Sequence, residues 1–124
     1  MPTRRSVFVV DDDPSMRVCI KRLLRVHGFH ATLFESANAL LTCGDFDKAF
    51  CLILDINLNG ESGIELYGRL ADSGASLPVI YITGNDSEAN RAGAIASGCI
   101  AYLTKPFAAS SLIESIERVR TTAV

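Results

Sequence analysis

Apolar residues along this chain follow two rhythms. Five short runs rich in β-branched and aromatic side chains recur at residues 6–10, 30–34, 50–54, 78–82 and 100–104, with the length and composition of strands. The third and fourth are almost unbroken in apolar side chains, which suits parallel strands covered on both faces. Between the runs the spacing becomes helical. Met16, Ile20, Leu23, Leu24 and His27 share one face of the first such stretch, and Arg17, Lys21 and Arg25 form a stripe on another. Leu112, Ile113, Ile116 and Val119 repeat the pattern near the end, with Glu114 and Arg118 at a favourable i,i+4 spacing.

The residues between these runs agree with that division. Asp13-Pro14 reads as N-cap and first helical residue, and Ser36 and Ser62 are placed to cap the second and third helices. Gly28, Gly44, Gly74 and Gly98 each follow a helical stretch and precede a strand, where a left-handed residue ends a helix. Strand and helix alternate five times, which predicts an α/β fold: a doubly wound, five-stranded parallel sheet with five helices on its two faces. No repeat, low-complexity tract or linker divides the chain, so residues 1–124 are expected to form one domain, its output supplied by a partner or by a further segment. The fourth helix, within residues 88–98, is the weak one. It offers mainly alanines and Ile95 to the core and carries Gly93 inside, so it is expected to be mobile.

Composition narrows the class. With 48% apolar and 21% charged residues the chain is too hydrophobic for disorder and too charged for a membrane protein. Its longest apolar runs, residues 7–10 and 49–54, fall far short of the ~18 residues of a spanning helix. Arg4-Arg5 precede an apolar patch, but Asp11-Asp12-Asp13 end it too soon for a secretory signal. A cytoplasmic protein is expected. The net charge of −2 argues against direct nucleic-acid binding. Cys19, Cys43, Cys51 and Cys99 form no CxxC pair and read as small buried hydrophobes in a reducing compartment. His27 and His30 lie away from the strand ends and read as structural.

The polar residues that end strands carry the chemistry. The first strand runs into Asp11-Asp12-Asp13, the third into Asp55, the fourth into Thr83 and the fifth into Lys105-Pro106. In a parallel sheet these ends converge on the carboxyl edge, where open α/β sheets bind ligands. Two or three carboxylates in one crevice repel one another and need compensation, which Lys105 and a divalent cation can supply. The all-oxygen donor set suits Mg²⁺. Asp13, beside a proline at a helix start, reads as a cap and is left out of the site. No glycine-rich phosphate loop follows the first strand, and no serine–histidine pair sits at these ends. A carboxylate nucleophile accepting a phosphoryl group fits the inventory.

Val9-Val10-Asp11-Asp12-Asp13-Pro14, Ile53-Leu54-Asp55, Val79-Ile80-Tyr81-Ile82-Thr83-Gly84 and Tyr102-Leu103-Thr104-Lys105-Pro106-Phe107, in this order and spacing, resemble the response regulator receiver domains, the CheY-like superfamily. The wording of the segments is most similar to the FixJ branch, whose receivers precede LuxR-type DNA-binding domains. The resemblance covers essentially the whole chain and implies a flavodoxin-like strand order of 2-1-3-4-5. It implies Asp55 as phosphoacceptor, with Asp11 and Asp12 as the acidic pair. Asp12 is then the more direct ligand of Mg²⁺ (or Mn²⁺), beside Asp55 and the backbone carbonyl of Asn57. Thr83 and Lys105 would bond phosphoryl oxygens, Tyr102 would be the switch aromatic that moves inward with Thr83, and the Lys105-Pro106 peptide would be cis.

The resemblance also implies partners and a mode of action. A sensor histidine kinase or phosphotransfer protein supplies the phosphoryl group, with Met16, Ile20 and Phe107 bordering the docking surface and Arg17 steering approach. Phosphorylation switches the conformation to control a partner or a transcriptional output domain, with homodimerisation through the fourth-helix, fifth-strand and fifth-helix face as one possible output. Such a domain assists its own phosphorylation and dephosphorylation but is a switch and not a metabolic enzyme. The alternative is a receiver-shaped interaction module that works without phosphate. Two positions depart from the pattern. Asn59, followed by Gly60, stands where the family commonly has proline, so that loop is expected to be more flexible. Ala108 stands where many members have an acidic cap, a loss of about 0.5–2 kcal/mol unless Ser110 takes over.

Overall fold

β3 (Ala49–Asp55) runs through the centre of the molecule with all seven of its residues buried. β1 (Ser6–Val10) and β4 (Val79–Thr83) flank it, and β2 (His30–Phe34) and β5 (Ala101–Thr104) form the edges. Counting only the strands of this sheet, the order is β2-β1-β3-β4-β5, with every pairing parallel. The computed structural model describes residues 6–122; Arg4, Arg5 and Val124 lie outside them.

Alternate strand residues face opposite sides of the sheet. On one side Val7, Val9, Cys51, Ile53, Ile80 and Ile82 are covered by α1 (Pro14–Val26) and α5 (Ala109–Thr122), through Ile20, Leu24, Leu112, Ile116 and Val119. On the other, Phe8, Val10, Leu52, Leu54 and Tyr81 lie under α2 (Ala37–Cys43), α3 (Gly63–Asp72) and α4 (Glu88–Ala96). The doubly wound fold expected from the alternating runs is the fold observed. Asp13, Ser36 and Ser62 cap α1, α2 and α3 as expected, each accepting a backbone N–H. Among the described residues no helix is long and apolar enough to cross a membrane.

Several details differ from expectation. The fourth strand starts at Val79: Pro78 has no N–H to give the ladder, though its carbonyl accepts from Leu52. In α4 it is Ala94 that is fully buried, while Ile95 is 67% exposed. An alanine-rich helix has too little apolar contrast around its circumference for spacing alone to set its phase. Cys19 is exposed on α1 instead of buried. His27 leaves the apolar face; its ring Nδ1 lies 3.0 Å from the Leu23 carbonyl at the exposed helix end. Ile20 is 1% exposed and so cannot border a docking surface. Ser110 does not cap α5: the helix starts at Ala109, and Ala108, without a polar side chain, stands at the cap position.

Candidate functional site

Three strands and two loops bring the site together at the carboxyl edge. Asp11 follows the last residue of β1 and is fully buried, because the chain there still runs beside β2: its N–H donates to the Phe34 carbonyl at 3.2 Å. Asp55 ends β3 and is 5% exposed. One carboxylate oxygen each of Asp11, Asp12 and Asp55 fall within 4.8 Å of one another. Lys105, just past β5, reaches between two of them, its Nζ 3.1 Å from Asp11 Oδ2 and 3.1 Å from Asp55 Oδ2. The peptide between Lys105 and Pro106 is cis.

Burial pushes the Asp55 carboxyl above the usual carboxylate range, helped by the Asp11 charge and opposed by the Asn57 N–H and by Lys105. For Lys105, burial pulls the other way, but bonding to Asp55 and Asp11 outweighs it and holds the ammonium above its usual value. The edge therefore carries a desolvated carboxylate, two further acids and a charged lysine. The three acids offer only oxygen donors, gathered within 4.8 Å, the donor type that a hard divalent cation takes. The chemistry is that of a basic carboxylate oxygen facing an electrophile whose negative charge the cation and lysine can balance.

The loop after β3 gives the acids their frame. Asn57 N–H donates to Asp55 Oδ1 at 3.0 Å. Asn57–Leu58 and Glu61–Ser62 then form a two-residue antiparallel ladder, turned at Asn59 and Gly60, with φ of 38° and 84°. Positive φ at both positions is the primed hairpin turn that Asn-Gly favours. The Asn59 N–H donates to Asp12 Oδ2 at 3.2 Å. A proline could make neither the turn nor that bond. The loop expected to be loose takes a hairpin turn tied to one of the acids, a turn that its Asn-Gly pair signals. Gly63 closes the loop: a Cβ there would lie 2.3 Å from the Asp55 carbonyl oxygen, so only glycine fits beneath the site.

The remaining expected residues sit around this centre. Thr83 is buried at the end of β4, its hydroxyl donating to the Asn85 carbonyl at 3.2 Å and accepting the Asn85 N–H at 3.0 Å. Tyr102 on β5 is half-buried, with its hydroxyl on the Asp86 carboxylate. Asp13 stays outside, occupied as the α1 cap and held below the usual carboxylate range by the Ser15 hydroxyl and N–H. His30 lies at the opposite edge, on the first residue of β2. Arg17 does not join a solvated stripe; its guanidinium donates to the Asp11 carbonyl at 2.7 Å and braces the acidic turn. Its neighbours gave no sign of this, because the contact needs α1 folded back on the strand end.

Residues 7–117 match the family model described as response regulator receiver domain. Nodulation protein W of Bradyrhizobium diazoefficiens is 35% identical over 114 residues, 92% of this chain and 50% of that protein. Transcriptional regulatory protein FixJ of the same organism is 32% identical over 117 residues, 94% of this chain and 57% of that protein. The chain thus spans about half the length of these two curated relatives. The crystal structure of FixJ-N superposes with a TM-score of 0.81 at 30% identity, over 92% of this chain and 91% of that one. A receiver protein from Pseudoalteromonas atlantica reaches 0.90 at 22% identity over 96% and 99%, a likeness of fold. Sheet order, strand-end acids and these matches lead to one family: the chain belongs to the response regulator receiver domains of two-component signal transduction, in the CheY-like superfamily and its FixJ-type branch.

Proposed function

We propose that this receiver takes a phosphoryl group from the phosphohistidine of a sensor kinase or phosphotransfer protein onto Asp55, and that the modified form controls a transcriptional output. The observation that carries this reading is the Lys105 ammonium held 3.1 Å from both Asp11 and Asp55 within a three-carboxylate cluster. An Asp55 oxygen attacks phosphorus; the P–O bond forms as the P–N bond to imidazole breaks, and the imidazole keeps the electron pair. Asp11, Asp12, Asp55 and the Asn57 carbonyl would hold Mg²⁺ or Mn²⁺, which when bound offsets charge on the phosphoryl oxygens. Lys105 pairs with one of those oxygens, and Thr83 bonds another once its hydroxyl leaves Asn85. The added charge of about −1.5 to −2 biases the β4–α4 loop, α4 and Tyr102 towards a second arrangement. The α4–β5–α5 side is the surface for homodimerisation, and the names of relatives such as FixJ support a transcriptional output.

The test is incubation with acetyl phosphate and Mg²⁺, followed by assay for an acid-stable, hydroxylamine-sensitive phosphate. The wild type should carry it and Asp55→Asn should not. No label on the wild type, from acetyl phosphate or from a matching kinase, would sink the reading in favour of an interaction module independent of phosphate.

A further inference from the structure

Beside the site, three residues from three different elements meet in one polar contact. Asp86 lies in the β4–α4 loop, Arg91 on α4 and Tyr102 on β5. The Tyr102 hydroxyl donates to Asp86 Oδ1 at 3.0 Å, and Arg91 donates to Asp86 Oδ2 at 2.8 Å. The Arg91 guanidinium also lies over the Tyr102 ring, 4.8 Å from its centroid. Each member therefore touches the other two. Arg91, then Tyr102, hold the Asp86 carboxyl below the usual carboxylate range. Burial, then the bond to Asp86, push the Tyr102 phenol up.

The next residue along the chain connects this contact to the site. Asn85 holds the Thr83 hydroxyl through both its carbonyl and its N–H, and its carbonyl also accepts the Asn90 side-chain amide at 2.9 Å. Asn85 and Asp86 are one peptide apart, so their Cα atoms stay about 3.8 Å from each other. A shift of the loop that carries Asn85 away from Thr83 therefore also pulls Asp86 from Tyr102 and Arg91. All three side chains reach solvent, and such contacts are individually weak and exchangeable with water.

We propose that Asp86, with Arg91, is a positioning residue of the switch: it fastens the β4–α4 loop to Tyr102 in the arrangement seen here, and the fastening must open before Thr83 can turn to Asp55. This rests on the reading of Asp55 as phosphoacceptor and Thr83 as its phosphoryl partner. It assigns to two residues outside the carboxyl-edge cluster the setting of how readily the domain activates. Tyr102 is held outward by a charge on the loop, and not merely left at the surface by default.

The experiment is a double-mutant cycle on the whole chain. Initial rates of phosphorylation by acetyl phosphate with Mg²⁺ are compared for the wild type, Asp86→Ala, Tyr102→Phe and the double variant, with the Tyr102 ring resonances followed by NMR. Asp86→Ala should move those resonances and raise the rate about three-fold, the size of effect a surface charge-assisted contact commands. In the Tyr102→Phe background the same substitution should add clearly less, since only the Arg91 contacts remain, whereas a general weakening of α4 would act equally with or without the hydroxyl. Arg91→Ala should shift rate and ring signal in the same direction, by less. An Asp86→Ala rate equal to wild type, or an unchanged increment in Tyr102→Phe, overturns the proposal while wild-type uptake on Asp55 stands. Absence of uptake by wild-type Asp55 would instead overturn the reading of the site, and the fastening with it.

Discussion

α1 and α4 each follow a loop of the carboxyl edge, but they are held by different physics. α1 puts Ile20 and Leu24 fully into the core on the sheet face it shares with α5, and its first turn is capped by Asp13 and braced by Arg17 on the Asp11 carbonyl. α4 has Ala94 as its one buried residue among those described. It is fixed instead by polar contacts: Ser87 at its cap, Asn90 on the Asn85 carbonyl, Arg91 on Asp86 and Ser97 on the Tyr81 hydroxyl. Apolar burial is lost only by opening the core, at a cost of kilocalories for each large side chain. Hydrogen bonds near the surface trade with water at a small net cost. The helix behind the acidic pair is held by core packing, and the helix behind Thr83 by polar contacts.

Unfolding experiments test that contrast first, where the expected effect is largest. Leu24→Ala in α1 should cost about 2–5 kcal/mol, the price of an emptied core site, read as a lower denaturant midpoint at unchanged slope. Ile95→Ala, which removes the largest apolar side chain of α4, should stay within about 0.5 kcal/mol because Ile95 is already in water. If the two substitutions cost the same, α4 is anchored by apolar packing in solution and the contrast fails.

The same contrast explains what could be read from the amino-acid order. Strands, caps and helix ends were legible because each is signalled locally: β3 by an unbroken apolar run, α1 by Asp13-Pro14, and α2 by Ser36 and a terminal Gly44 that takes φ of 73°. The acids of the edge were legible because a parallel sheet sends every strand end the same way. The phase of α4 was not, since alanines give no direction. The bonds from Asn59 to Asp12, from Arg17 to Asp11 and from Asp86 to Tyr102 were not read either. The first and third join residues 47 and 16 positions apart and exist only once the loops are in place. At Asn59 the local signal is present but has two sides: the position lacks the stiffness of proline, while Asn-Gly favours a primed turn of its own.

The C-terminal end of α4 gives a smaller, pH-dependent test. Tyr81 is fully buried, and its hydroxyl meets Ser97 Oγ at 2.9 Å. Burial pushes this phenol up to about 12, against the lowering effect of the Ser97 bond. An unfolded tyrosine ionises near pH ~10, so the folded state prefers the neutral phenol. That contribution to stability is complete below pH ~10 and is lost as pH rises through about 12. Cys51, pushed by burial to about 12, adds a loss that starts lower, near pH ~8.5. Tyr81→Phe should lose about 1 kcal/mol at neutral pH with the hydrogen bond, and should unfold less steeply with alkali than the wild type. Parallel alkaline curves would mean that the phenol is solvated and that α4 lacks this tie.

The smallest effect bears most directly on how closely α4 is held. Gly93 faces α3, and a Cβ there would lie 3.2 Å from Ile64 Cδ1, tighter than an ordinary contact by a few tenths of an ångström. Glycine inside a helix costs about 0.5–1 kcal/mol relative to alanine, so Gly93→Ala gains that much if the neighbour yields. Ile64 is only partly buried, and the atom in the way is the end of a flexible side chain, which a rotamer change can move. Part of the gain goes to moving Ile64, so Gly93→Ala should stabilise the domain by about 0.3–0.5 kcal/mol and protect the α4 amides from hydrogen exchange, with the α1 amides unchanged. A loss of stability would mean that Ile64 cannot give way. α4 would then be locked against α3 by shape, and any movement of α4 would need α3 to shift with it.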